Sequence, residues 1–191
     1  QDETIREMTN TAQELQLLST NILNWIKYQN ENRRLAKETF NVHELVNQVL
    51  GVLNSLANQK RLKLVNKVDN NLEIHQFFEP LKILVYNLLT NAINFSEKGD
   101  ISITAQPGAE TVVISVQDEG AGMTPEQIKN VMADQFIISS ANIDNRKGNG
   151  LGYLIIKDLV KMMDAVLNIS SAKGKGTIVS VHLPAGNKLK N

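Results

Sequence analysis

The chain lacks cysteine entirely over its 191 residues, which excludes a disulfide scaffold and a thiolate metal site and fits a reducing compartment. It also lacks net charge. Twenty basic residues balance twenty acidic ones, so no broad cationic field argues for nucleic acid or for an anionic membrane surface. Long apolar runs are missing as well: stretches such as Ile83-Leu84-Val85-Tyr86 fall far short of the ~20 residues that a membrane span needs. No signal-peptide pattern is present, and Gln1 stands inside a helical pattern, as in a piece of a larger protein. What remains is a chain that is 42% hydrophobic, enough for one substantial core and a smaller appendage.

Two regions differ in hydrophobic period. Up to about residue 30, Ile5, Met8, Ala12, Leu15, Ile22 and Ile26 recur in steps of three and four, with Ser19 the polar exception. Leu18 and Trp25 widen this stripe toward the face of a helical bundle, and no Gly or Pro interrupts it. Such a helix packs either on its own domain or on other helices across a dimer; the stripe width favours the dimer. After Arg33-Arg34 the pattern changes, so residues 1–34 read as an incomplete bundle, 35–186 as a separate domain and 187–191 as a frayed tail.

In the second region Asn41, followed three residues later by Glu44, marks a helix start, with the helix running to about Gln59. Leu62–Val65 and Leu72–Ile74 read as short strands on either side of Asn70-Asn71, which suit a tight turn. Another helix spans Glu79 to Phe95, with Pro80 in its first turn where no amide bond is lost. Ile101–Gln106 and Thr111–Gln117 alternate as paired strands around Pro107-Gly108. Thr124-Pro125-Glu126-Gln127 opens a short helix, and a further one runs from Gly150 or Leu151 to near Met163. Val166–Ser170 and Ile178–Leu183 close the chain as a hairpin. The expected fold class is α/β, a two-layer α/β sandwich with one sheet covered on one face and a long helix in front.

Four short segments carry chemistry. Asn87 and Asn91, four apart on a helix, share a face, and an Asn carbonyl is the hard oxygen that magnesium accepts alongside phosphates. Asp118 ends an alternating strand and is followed by Gly120 and Gly122, which permit a turn and a close backbone approach. Gly148, Asn149, Gly150, Leu151 and Gly152 lead into a helix whose first amides can face an anion. It is no dinucleotide fingerprint, because no strand precedes it and the third glycine is misplaced. Gly174-Lys175-Gly176-Thr177 forms the last turn. Taken singly, each has an ordinary reading as a solvated helix face or a plain turn.

In this order and spacing the segments resemble the N, G1, G2 and G3 boxes of the sensor histidine kinase ATP-binding domain, a branch of the Bergerat-fold ATPases. The resemblance covers roughly residues 75 to 183 in its boxes. It implies ATP and magnesium as ligands, with adenine on Asp118 and magnesium on Asn91. Asn87 would line the phosphate side. Phosphates would lie near Gly148, Gly150, Leu151 and Gly152, and Arg146 and Lys147 would reach them from a mobile lid. Gly120, Gly122 and Thr177 would complete the pocket. It also implies a homodimer through the N-terminal helix, a response regulator receiver domain as partner, and a cytoplasmic setting in a membrane-anchored sensor. Neither nucleic acid nor a membrane is expected as a partner of this piece.

Three departures stand beside the resemblance. His43 stands at a helix start and His75 and His182 in strands, none of them on a first dimerisation helix where the phosphoacceptor lies, so that histidine is expected outside the chain. Asn94 stands where a basic residue often follows the second N-box asparagine, and Phe136 is the sole plausible remnant of the lid's F box. The competing reading is therefore a dimerisation or regulatory module without kinase activity. An ATP-hydrolysing relative would need a glutamate near the N box, and none lies between Asn87 and Asn94.

Overall fold

The computed structural model describes residues 36–133 and 151–184. The chain divides into two units, Gln1–Ala36 and Lys37–Asn191, and the described elements all belong to the second. The expected N-terminal bundle helix, the lid with Arg146 and Lys147, the glycines Gly148 and Gly150, and the C-terminal tail lie outside the described residues.

Two sheets form where one was expected. Strand β1 (Glu38–Asn41) pairs antiparallel with β3 (Glu73–Gln76), while β2 (Lys63–Asn66), β4 (Asp100–Pro107), β5 (Thr111–Asp118), β6 (Val166–Ser171) and β7 (Thr177–Pro184) make a five-stranded sheet in the order β2-β4-β5-β7-β6. So β2 and β3 are not a hairpin around Asn70-Asn71. The loop between them is tied to the first helix instead. Asp69 accepts from the Asn71 amide at 2.7 Å, and Val42 donates to the Leu72 carbonyl at 2.9 Å. β2 is released to run parallel to β4, with Leu64 opposite Ile101. A parallel pair needs a long crossover, which the chain supplies through β3 and the following helix.

Helix α1 (Val42–Gln59) begins where Asn41 caps it, accepting from the Glu44 amide at 2.9 Å. The Asn41 side-chain nitrogen also donates to the Asn70 carbonyl at 2.6 Å, joining the cap to the β2–β3 loop. α2 (Phe78–Phe95) places Pro80 in its first turn, and α3 (Pro125–Met132) opens with a full capping box between Thr124 and Gln127. α4 (Leu151–Met162) stops at Asp164, whose φ of 52° turns the chain toward β6. These starts and stops match the sequence pattern to within a residue or two.

α1, α2 and α4 cover one face of the larger sheet. Leu45, Leu53, Leu84, Leu89, Ile93 and Ile156 lie almost fully buried against Ile101, Ile103, Ile114 and Val181. Along β5 every second residue is buried, Val112, Ile114, Val116 and then Asp118, so the hydrophobic row of the strand ends in a carboxylate. On the other face Ser115 and Ser180 bond to each other at 2.8 Å. The three histidines are held in the scaffold: His43 donates from Nδ1 to the Val68 carbonyl at 2.8 Å, His75 meets Thr39 at 3.2 Å, and His182 meets Asn168 at 3.1 Å.

Asn41 serves both the helix and the loop, so Asn41→Ala is expected to lower the unfolding free energy by about 1–2 kcal/mol in chemical denaturation. Thr124→Ala should change it much less, since α3 buries no residue.

Candidate functional site: the ends of β5 and β7 beneath α2 and α4

Three of the sequence segments meet at one end of the sheet. Asp118 closes β5 and Thr177 opens β7; they are register partners, and both are more than nine-tenths buried. The turn after Asp118 folds back so tightly that the Gly120 amide donates to Asp118 Oδ1 at 2.8 Å. A methyl on Gly120 would stand 2.5 Å from the Phe95 carbonyl and 2.8 Å from that same Oδ1. The Ala121 amide reaches the Phe95 carbonyl at 3.3 Å, so the turn seats against the last residue of α2.

The final turn presses on the same place. Gly174 donates to the Ala121 carbonyl at 2.7 Å, and Gly176, at φ +77°, lies against the backbone carbonyl of Asp118. Gly122, at φ +66°, lies against the carbonyl of Ala172. Both positions combine a left-handed backbone with a neighbour that is main chain, so no side chain could be accommodated by a rotamer change.

The two asparagines of α2 diverge. Asn87 is buried, and its side-chain nitrogen donates to the Ile83 carbonyl at 2.8 Å, one turn back on its own helix. Asn91 faces α4. A Cβ on Gly152 would stand 2.6 Å from Asn91 Oδ1, so Gly152 leaves the space that the amide fills. Asn91 Nδ2 is buried with no hydrogen-bond partner among the described residues. Leu151 begins α4, placing the helix N-terminus on this side of the domain.

Two residues went unnoticed in the sequence. Tyr153, on the first turn of α4, is close enough to Asp118 to feel its charge; burial, with that charge second, pushes its hydroxyl up to about 12. Ser171, at the end of β6, accepts from the Met123 amide and bonds to both Gly176 and Thr177. A serine on a strand carries no signal of its own in sequence. Tyr153 lies directly behind the Gly-rich segment, and its spacing could have marked it.

Burial raises the Asp118 carboxyl above its ordinary value of 3.8, opposed by the backbone amides of Gly120 and Thr177. No cation among the described residues offsets that burial. The site therefore holds a buried acceptor that its own protein matches only with two backbone amides.

A family model described as histidine kinase-, DNA gyrase B-, and HSP90-like ATPase matches residues 78–187, more than half of the chain. The chain belongs to that ATPase family. It is 25% identical over 185 residues to the sensor histidine kinase RcsC of Escherichia coli, covering 96% of this chain and 20% of that protein, so the chain spans about a fifth of that relative. Its fold is shared with the histidine kinase AdeS of Acinetobacter baumannii at a TM-score of 0.72 and 17% identity, over 96% of this chain and 84% of that one. The full-length ShkA structure in complex with AMPPNP shares it at a TM-score of 0.73 and 23% identity, over 92% of this chain and 37% of that one. As a member of that family, the chain carries an ATP-binding domain of the ATPase type.

A carboxyl raised in the fold favours folding while protonated, and that contribution is lost as pH rises through the raised value. The stability of the wild type relative to Asp118→Asn should therefore fall as pH rises from the ordinary carboxyl value of 3.8 through the raised one, and level off above it. Paired denaturation curves across pH measure this; a flat difference would contradict the burial of an unpaired carboxylate.

Proposed function

We propose that the ATPase domain holds ATP with its adenine amine on Asp118 and its phosphates toward the N-terminus of α4, presenting the γ-phosphoryl for transfer to a histidine that is none of His43, His75 or His182. The supporting observation is Asp118 itself, a buried acceptor fixed by Gly120 and Gly176 and opposed by no cation among the described residues. An exocyclic amine donating to it would supply what the protein does not. Transfer to a nitrogen nucleophile is an in-line displacement, so the domain contributes position and charge neutralisation rather than a covalent intermediate.

Asn91 is the proposed metal contact. Among the described residues no three His, Asp or Glu side chains gather to hold a cation, which disfavours a resident ion cage there. A single amide oxygen fits an ion that arrives with the triphosphate and keeps most of its water. Magnesium so bound would neutralise phosphate charge. Asn91 Oδ1 would hold it beside α4, and Gly152 would keep the space clear. Arg146 and Lys147, Gly148 and Gly150 are proposed to meet the phosphates, with the backbone of Leu151 and Gly152. Asn87 is proposed to wall the phosphate side, and Gly120, Gly122 and Thr177 the base side.

Residues 1–34 are proposed as one helix of a dimerisation bundle, 35–186 as the catalytic domain and 187–191 as a tail. The partners would be a second copy of the chain and the receiver domain of a response regulator, in the cytoplasm. No described helix is long and apolar enough to cross a membrane.

Calorimetric titration of magnesium with AMPPNP should show binding to the intact chain. Asp118→Ala, while remaining folded, should weaken it by about 10- to 100-fold, the loss of one hydrogen bond to a charged group. Unchanged affinity would move the adenine elsewhere, and no binding by the folded parent would favour a regulatory module without kinase activity. Gly152→Ala should displace Asn91 and reduce the gain in affinity that magnesium gives by about tenfold, leaving metal-free binding largely intact; equal loss with and without metal would remove Asn91 from the metal.

A further inference from the structure

At the junction of β6 and β7 one hydroxyl serves three partners. Ser171 Oγ accepts from the Met123 amide at 2.8 Å, lies 2.8 Å from the Gly176 carbonyl, and lies 2.8 Å from Thr177 Oγ1. A serine hydroxyl has one proton and two lone pairs. A carbonyl can only accept, so that proton goes to Gly176. The Met123 amide takes one lone pair. The remaining bond must then be donated by Thr177, whose proton points at Ser171 and away from the pocket.

This fixes the character of the pocket edge. Thr177 is the register partner of Asp118, and the two side chains share the covered face at 8% and 7% exposure. A threonine hydroxyl left to itself can turn its proton toward an acceptor or its lone pair toward a donor, and so distinguishes little. With its proton held by Ser171, Thr177 offers only lone pairs beside the Asp118 carboxylate.

We propose that Ser171 is a positioning residue for base selection, which makes the Asp118–Thr177 edge acceptor-only and so admits a 6-aminopurine while rejecting a 6-oxopurine. The inference rests on the reading of Asp118 as the residue that meets the base. A 6-amino group brings two N–H donors to two acceptors. A 6-oxo group brings lone pairs against buried oxygens with no proton between them, and unpaired polar atoms in a buried site are strongly disfavoured. Ser171 touches no nucleotide in this arrangement. It acts through the direction of one proton on Thr177.

ADP and inosine diphosphate differ in the group at position 6 of the base and in the proton that the 6-oxopurine carries on N1, and their affinities for the intact chain test the idea. The wild type should favour ADP by at least about a hundredfold. Ser171→Ala frees the Thr177 proton and removes two supports of the turn, so both affinities should fall, but the preference itself should narrow by about tenfold. Ser171→Thr keeps a hydroxyl and should keep the preference. Thr177→Val removes the second acceptor without touching the bonds of Ser171 to Met123 and Gly176, and should narrow the preference even if Ser171→Ala proves too unstable to measure. Equal losses for the two nucleotides in Ser171→Ala, or an unaltered preference in Thr177→Val, would reduce Ser171 to a structural staple and overturn the proposal. A wild type that bound both nucleotides alike would overturn it while leaving nucleotide binding in place. Binding of neither would remove the underlying reading of Asp118 as well.

Discussion

Two stretches of main chain touch at the end of the larger sheet, and the proposed nucleotide site is organised around that contact. The Asp118 carbonyl lies where a side chain on Gly176 would begin, and the Ala172 carbonyl lies where one on Gly122 would begin. Both neighbours are backbone, so neither can swing aside, and both glycines have positive φ. The contact brings the turn after β5 against the turn between β6 and β7, and the Gly174 amide fastens the pair through Ala121. From there the turn reaches Phe95 at the end of α2, while Asn91 on the same helix meets Gly152 on α4. Segments some 85 residues apart in sequence thereby form one continuous wall.

That wall holds a carboxylate in a position that the protein alone does not favour. Asp118 continues the alternation that buries Val112, Ile114 and Val116, so strand geometry rather than charge pairing determines where it lies. Two backbone amides partly compensate it, and burial still raises its pKa. Tyr153 adds a hydroxyl whose own ionisation is suppressed by burial and by Asp118, so it stays a neutral neighbour at physiological pH. A group kept hungry for donors is what selective recognition of an amine requires, and the associated loss of stability is the ordinary accompaniment of a functional site.

Much of this was legible because the decisive signals were local. The Asn41 cap, Pro80 in the first turn of α2, the Thr124 capping box and the alternation of β5 are each written within a few neighbouring residues, and each forms as the pattern implies. The pairing of β1 with β3 was not legible, because Glu38 meets Gln76 across 38 residues and the four residues of β1 show no alternation. For the same reason Asn70-Asn71 suggested a turn between paired strands, when the Asn41 side chain binds that loop to the start of α1. Ser171 escaped notice because its partners, Met123 and Thr177, come from separate turns brought together by the sheet. The domain's membership in the ATPase family followed from motif order alone; how its residues divide the work required distances.

The asparagine pair of α2 shows why spacing could not assign roles. Four residues apart, Asn87 and Asn91 share one helix face, and the sequence treats them as equivalents. Tertiary burial separates them. Asn87 is enclosed and bonds back to Ile83, as a buried amide must when no other partner is in reach. Asn91, one turn further on, meets a helix that has a glycine at the point of contact, and its amide nitrogen has no partner among the described residues. An unsatisfied buried amide costs about 1–3 kcal/mol, so its persistence in the fold argues for a state in which it is satisfied. The side of the pocket that faces α4 is where that state would form. A methyl at position 152 would meet the Asn91 amide before any other group, so this end of the site can be perturbed by a change aimed at Asn91.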